Sequence, residues 1–438
     1  MKEQNYSDKT YKSSGHAHLI SVNMGYGHQR AIYPLKHLSY EGQIINANDY
    51  LNIPRKDKAI WEGTRKGYEA ISKFKKIPLI GRLAFSAFDQ FQKIEHFYPR
   101  RTLSKPTFQL KQSYSLIRKG WGKHLIMKLR NENKEKQTNF PLITSFFSIA
   151  FMAEYFQYPA DIFCIVCDSD ISRAWAPLKP KTSRIKYLAS TERTAERLDL
   201  YGVKKENIIL TGFPLPLENI GSPEMEVLKQ DFRQRLANLD PRQRFAKYYY
   251  PLIEHHLESG PVKPKGIITL MFAVGGAGSQ KELGLKIIRQ LAKKIKQQEI
   301  KVIISAGTRK EVKDYFESRS RGLPIEIIFA PDFEEYFKKF NSALRRTDIL
   351  WTKPSELSFY SALAIPIIIA PPVGFQEKFN KRWLLKSGFG MMQENMDYLR
   401  QWLFDWIDKG YLAEAAMQGF IEGNKTATFN IEKICSGL

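Results

Sequence analysis

In this 438-residue chain the side chains able to move protons or hold anions cluster beside glycine-rich turns. The segment Asn23-Met-Gly-Tyr-Gly-His28 ends on a histidine at an expected helix start. The positive end of a helix dipole depresses the pKa of an imidazole there, leaving it neutral and able to accept a proton. A histidine that merely caps or packs at the helix start is the alternative. Asp168 and Asp170 follow the apolar run Ile162-Phe-Cys-Ile-Val-Cys167. Such an acidic pair can orient a base or bind an acceptor, or can simply begin the next turn.

A second group of residues suits an anionic, hydroxyl-rich ligand. Ala273-Val-Gly-Gly-Ala-Gly-Ser-Gln280 puts Gly275, Gly276 and Gly278 where a backbone must approach a phosphate closely, and Ser279 and Gln280 add donors. Glycine loops also serve merely as turns. In Trp351-Thr-Lys-Pro-Ser-Glu-Leu-Ser358, Lys353 can pair with phosphate and Glu356 can accept two ribose hydroxyls. Glu356 also suits the first turn of a helix as a plain dipole partner. The loop from Ala370 to Asn380 gathers Gln376, Glu377 and Asn380, polar groups fit for sugar hydroxyls. No Walker or His-Glu-x-x-His signature and no carboxylate cluster with metal spacing is present.

These residues require strands and helices to hold them. His18-Leu-Ile-Ser-Val22, a glycine loop and a helix over 29–38 open an α/β unit, followed by a strand at 43–47. Strands are expected at 141–145, 162–166, 185–189 and 207–211, with helices over 147–156 and 192–201 between them. Alternation of this kind predicts a parallel sheet with crossover helices. A second series begins at Gly266 with a strand, glycine loop and helix to 297. Strands follow at 301–305, 324–329, 348–351 and 365–370, and helices at 310–318 and 356–364. The expected plan is α/β: two Rossmann-like domains with parallel sheets. The domains are 15–215 with an insertion at 54–136, a helical connector at 216–265, the second domain at 266–395, and terminal helices at 396–438.

Composition narrows the setting. The net charge is +23, from 68 Lys+Arg against 45 Asp+Glu. Residues 54–136 hold 21 Lys/Arg and 7 Asp/Glu, a net of +14 and so more than half of the excess. Aromatics interleave with those cations, and Lys73, Lys75, Lys76, Arg82 and Phe85 are the expected contacts with an anionic membrane surface. A helical excursion packed on its domain is the other reading; a nucleic-acid motif is missing. No run of 18 apolar residues or signal-peptide core is present, so a cytoplasmic protein is expected. Three cysteines cannot make a disulfide framework, and Cys164 and Cys167 are expected as buried strand thiols.

Taken in order, the motifs resemble two-domain nucleotide-sugar glycosyltransferases of the GT-B fold. The likeness is nearest to monogalactosyl- and glucosyl-diacylglycerol synthases, and more distant to the lipid II GlcNAc transferase. It rests on Gly25-Tyr-Gly-His28, Cys167-Asp168, Tyr187 to Ser190 with Ile209-Leu-Thr-Gly-Phe-Pro-Leu215, Gly275 to Gln280, Thr352-Lys-Pro354 and Gly374 to Asn380. Tyr26 stands where the family has its second glycine, and Phe359 where it has a ribose-binding glutamate.

The resemblance implies a GT-B fold, the two sheets facing a central cleft. It also implies an inverting, metal-independent transfer of a hexose from a UDP-sugar, with no further cofactor, to a lipid or polyprenyl-linked acceptor. It places His28 or Asp168 as base, Gly25, Tyr26 and Gly27 in the acceptor loop, and the donor on Gly275, Gly276, Gly278, Ser279, Gln280, Lys353, Glu356, Gln376, Glu377 and Asn380. It also implies a peripheral position on the inner face of the plasma membrane without an obligate protein partner. A silent nucleotide-sugar or membrane-binding protein of the same fold, and a UDP-sugar epimerase or hydrolase, are the alternatives.

Overall fold

The computed structural model describes residues 17–74, 94–258, 263–264, 266–276 and 278–436. Among them, the short apolar runs inside each sheet form strands buried along most of their length, as parallel strands covered by helices on both faces must be, while the edge strands are partly exposed. The first sheet contains β1 (Ala17–Ser21), β2 (Ser39–Asn46), β3 (Leu142–Thr144), β4 (Ile162–Ile165), β5 (Lys186–Ala189) and β6 (Ile208–Leu210), in the order β2-β1-β3-β4-β5-β6. The second contains β7 (Ile268–Ala273), β8 (Ile300–Gly307), β9 (Glu326–Phe329), β10 (Ile349–Thr352), β11 (Ile367–Ile369) and β12 (Gly390–Met392), in the order β12-β11-β10-β7-β8-β9. Every pairing in both is parallel.

Strand order locates the crevices. In the first sheet the chain steps from β1 to β2 on one side, then crosses to β3 on the other. In the second it runs β7-β8-β9 outward and returns to β10. Ligands in doubly wound sheets sit at such reversals, outside the carboxyl ends of the strands. The reversals therefore fall at β1/β3 and at β7/β10, and the segments that follow those four strands carry His28, Ser145, Gly275 and Lys353.

Several boundaries differ from expectation. The first helix starts at Tyr26 and ends at Ile32, continuing as a 3-10 turn over Tyr33–Leu38 where Pro34 removes a helix donor. His28 thus lies inside its first turn. Helix Phe333–Leu344, not among the expected elements, forms from an aromatic stretch whose Tyr336, Phe337, Phe340 and Leu344 are buried at helical spacing. Helix Phe375–Lys386 occupies most of the expected loop from Ala370 to Asn380; the prolines and glycine before it hide its start. Segment 356–363 is a 3-10 rather than an α-helix.

The described part of the insertion forms helices over Arg55–Phe74, Phe108–Arg118 and Lys123–Glu135 and is irregular over 94–107. Trp61, Leu110, Ile117, Trp121, Ile126 and Leu129 are buried, so these helices pack on the domain by an apolar side. The membrane expectations for Lys75, Lys76, Arg82 and Phe85, and for the Lys73 side chain, lie outside the described residues. Within the connector, helix Glu226–Leu239 is fastened to the second domain: Arg235 donates to the carbonyls of Thr347 (2.7 Å) and Leu363 (2.9 Å). The last helix, Ala427–Ser436, crosses back to the first domain, where Thr428 donates to the Leu215 carbonyl at 2.7 Å. No described helix is long and apolar enough to cross a membrane.

Candidate functional site

His28 sits on the first domain's lip of the cleft, on the helix that follows β1. Its Nδ1 is 2.8 Å from the carbonyl oxygen of Ser145, just past β3. A carbonyl cannot donate, so Nδ1 carries the hydrogen and Nε2 is left as the acceptor. The Ser145 hydroxyl returns a bond to the His28 carbonyl at 2.9 Å, closing a two-bond clasp between the β1 and β3 loops. Phe146 meets the ring edge-on at 4.8 Å. Burial lowers the imidazole pKa to about 4, against the opposing Ser145 bond and the nearby Glu356 charge. The ring is therefore neutral at physiological pH, the state a general base requires.

Asp168 follows β4 on the same lip. Burial raises its carboxyl to about 6, countered by the bond from Asn380, while Glu356 and Glu377 push the same way as burial. Asp170 instead holds the fold together, buried in a two-pronged pair with Arg197 at 2.8 Å on each prong. Cys164 and Cys167 are free, buried thiols. Cys167 lies 3.7 Å from His28 Nδ1, and burial, followed by the Asp168 charge, keeps it protonated.

The facing lip belongs to the second domain. Gly275 is closed in by Ser279 and by the Lys353 stem, so a Cβ there would lie 2.7 Å from Ser279 Oγ and 2.9 Å from Lys353 Cε. Gly278 adopts a left-handed φ of +70° and donates to the Gly275 carbonyl, which makes the loop a tight turn. Gln280 donates to the Pro371 carbonyl at 2.7 Å and so links the loop after β7 to that after β11. Lys353 is ion-paired with Glu377. Burial would raise the Glu377 carboxyl, but the Lys353 charge and the amides of Val373 and Gly374 hold it below its ordinary value. Gln376 occupies the same first helical turn, half-buried.

Asn380 and Arg30 are among the side chains that bind the lips together. Asn380 donates to Asp168 at 3.1 Å and accepts from the backbone and hydroxyl of Ser169 at 2.9 and 2.7 Å. Arg30 reaches from the first helix to Glu356 at 3.2 Å and to the Tyr336 hydroxyl at 2.9 Å. Its guanidinium lies 4.1 Å from the Phe340 ring centre within a box that also includes Tyr26, Phe337 and Tyr360. The structure thus brings His28, Asp168, Glu356, Lys353, Glu377 and Asn380 to one seam. Phe359, by contrast, is buried in a stack on Phe213 with ring centres 4.8 Å apart. Arg30 is not among the residues that sequence pattern singles out; its spacing of four from Tyr26 on one helix face was the available signal.

Beside the seam, on the far face of helix Phe375–Lys386, opens a cleft of about 1360 Å³. Phe375, Phe379 and Trp383 wall one side, Phe97, Tyr98 and Arg193 the other. Among the described residues, no group of three or more His, Cys, Asp or Glu is placed to hold a metal ion.

A family model described as a domain of unknown function, DUF6938, matches residues 262–324. No curated protein matches. Among solved structures, the chain is similar to the UDP-GlcNAc 2-epimerase of Neisseria meningitidis bound to UDP-GlcNAc, at 12% identity over 81% of this chain and 88% of that one, with a TM-score of 0.45. It is also similar to the S. aureus MnaA–UDP complex (14% identity, 80% and 84% covered, TM-score 0.43) and to MurG of Acinetobacter baumannii (12%, 75% and 78%, 0.42).

Proposed function

We propose that this protein is an inverting hexosyltransferase that moves a sugar from a UDP-sugar to an amphiphilic, membrane-associated acceptor. The observation that carries the reading is a tautomer-fixed, neutral His28 on the lip opposite the one that holds the β7 glycine loop, Lys353 and Glu356. In this reading His28 Nε2 takes the proton of the acceptor hydroxyl. The acceptor oxygen forms a bond to the anomeric carbon as the carbon–oxygen bond to UDP breaks, and that electron pair leaves on the diphosphate. Glycine-loop amides and the Lys353 ammonium, released from Glu377, stabilise the leaving charge in place of a metal ion. Glu356 exchanges Arg30 for ribose hydroxyls, and Gln376, Glu377 and Asn380 address the sugar.

The cleft beside the seam has aromatic walls and a lining that mixes carboxylates with cations, which supports an acceptor with an apolar body. The basic insertion supports a peripheral site on the cytoplasmic membrane face. One observation favours a second reading: two carboxylates, Asp168 and Glu356, converge where an epimerase or hydrolase would need an acid and a base.

Thermal unfolding in a panel of UDP-, GDP-, CDP- and dTDP-sugars tests the donor. Ligand at about 100 times Kd adds roughly 2.7 kcal/mol of stability. A shift confined to uridine nucleotides and lost in Lys353→Met is expected; no shift with any nucleotide would overturn the reading. Product analysis on a UDP-sugar alone separates the two chemistries, because an epimerase or hydrolase converts it without an acceptor.

A further inference from the structure

The phenol of Tyr26 leaves its own domain and fills a slot in the other. Its hydroxyl accepts the backbone N–H of Thr308 at 2.8 Å and lies 3.4 Å from the Thr308 hydroxyl. It also presses on Gly307, the last residue of β8, where a Cβ would overlap it. The ring edge is 3.4 Å from the place a Cβ would take on Gly276 of the glycine loop. Phe333 meets the ring edge-on at 5.7 Å and Tyr336 lies across it at 5.2 Å. The slot is thus walled by glycines and aromatic rings at the carboxyl ends of β7 and β8, next to the β7/β10 reversal.

A flat ring that offers an acceptor oxygen to a backbone N–H is also what a nucleobase carbonyl presents. Ring and base cannot share the slot. Without the phenol, Arg30 still keeps the Tyr336 hydroxyl and the Phe337, Phe340 and Tyr360 rings, and Asn380 still bonds Asp168 and Ser169. Gly25, before the helix, has a φ of +115° and nothing within 4 Å of its Cβ position, so the loop has room to turn there. Tyr26 can therefore withdraw while the domains stay joined.

We propose that Tyr26 is a built-in occupant of the second domain's nucleotide site, which the base must displace from Gly276, Gly307 and Thr308 before a donor binds. The proposal rests on the donor reading above. It makes the measured affinity equal to the intrinsic affinity reduced by the fraction of molecules with the phenol withdrawn.

Calorimetric titration of the full chain with UDP, uridine and inorganic pyrophosphate tests it in wild type, Tyr26→Phe and Tyr26→Gly. Tyr26→Phe, which removes only the hydroxyl bond, should tighten UDP about fivefold. Tyr26→Gly should tighten UDP and uridine about tenfold or more and leave pyrophosphate unchanged. Equal or weaker UDP binding in both variants would overturn the occupant role and leave the donor reading standing. Equal tightening of pyrophosphate would overturn it too, because the gain would then not be at the base. If none of the three proteins binds UDP, both readings fall.

Discussion

On the first domain's lip, His28 has one ring nitrogen tied to the Ser145 carbonyl and the other left to accept a proton. On the second domain's lip, Lys353 is paired with Glu377, Glu356 with Arg30, and the Thr308 amide with Tyr26. The same cleft therefore carries a half that is set and a half whose polar groups are held by the protein's own side chains. A neutral base needs only a fixed tautomer and a dry surround, both of which the fold can supply in advance. Groups meant for an anion would otherwise be charged and unpartnered in a closed seam, which is strongly unfavourable, so they are kept satisfied by internal partners. On the proposed function, binding of a donor would be an exchange of partners, with an affinity set by what is given up.

The largest expected effect comes from cutting the tie between the lips. Arg30→Ala leaves the Glu356 carboxylate in the seam without its cation and empties an aromatic box, and should cost about 3–5 kcal/mol in denaturant unfolding. Adding Glu356→Gln to that variant should recover part of the loss, because the uncompensated charge is gone. A loss under about 1 kcal/mol in the single variant, the range of a surface pair, would mean that the contact does not hold the closed arrangement.

The next prediction reads the set half alone. With His28 as base, the acid limb of kcat/KM falls as pH drops through about 4, where the imidazole gains its proton. With Asp168 as base, activity is lost as pH drops through about 6, where that carboxyl is protonated. The account predicts the lower limb, unmoved in Asp168→Asn; a limb near 6 that vanishes in this variant would transfer the role. The smallest effect belongs to a contact outside the chemistry. Phe213→Leu removes the stack on Phe359 and should cost about 0.5–1.5 kcal/mol beyond its lost area, with UDP affinity unchanged.

The sheets were legible because parallel strands buried on both faces read as short apolar runs between glycine turns, as in β7. Helix Phe333–Leu344 does carry aromatics at helical spacing; what its sequence does not carry is their partners, Arg30 among them. His28, Asp168 and Asn380 were legible as chemistry at strand ends, and the structure brings them together. Their partners were not: the Ser145 carbonyl that fixes the His28 tautomer is backbone, which carries no residue signature. Tyr26 was visible only as a bulky residue between two glycines, and nothing local in sequence tells that its ring crosses to Gly307. Residue type marks reactive groups; the pairing that sets or restrains them comes from tertiary packing.

The most direct test of the account is UDP release from UDP-hexoses, in the presence of phosphatidylglycerol vesicles carrying diacylglycerol or a polyprenyl-linked glycan, by wild type and His28→Asn. The account predicts release that depends on an acceptor in the vesicles and falls by about 10²–10⁴-fold in the variant while the melting temperature holds. Equal release by wild type and His28→Asn, or release indifferent to both acceptors, would contradict it.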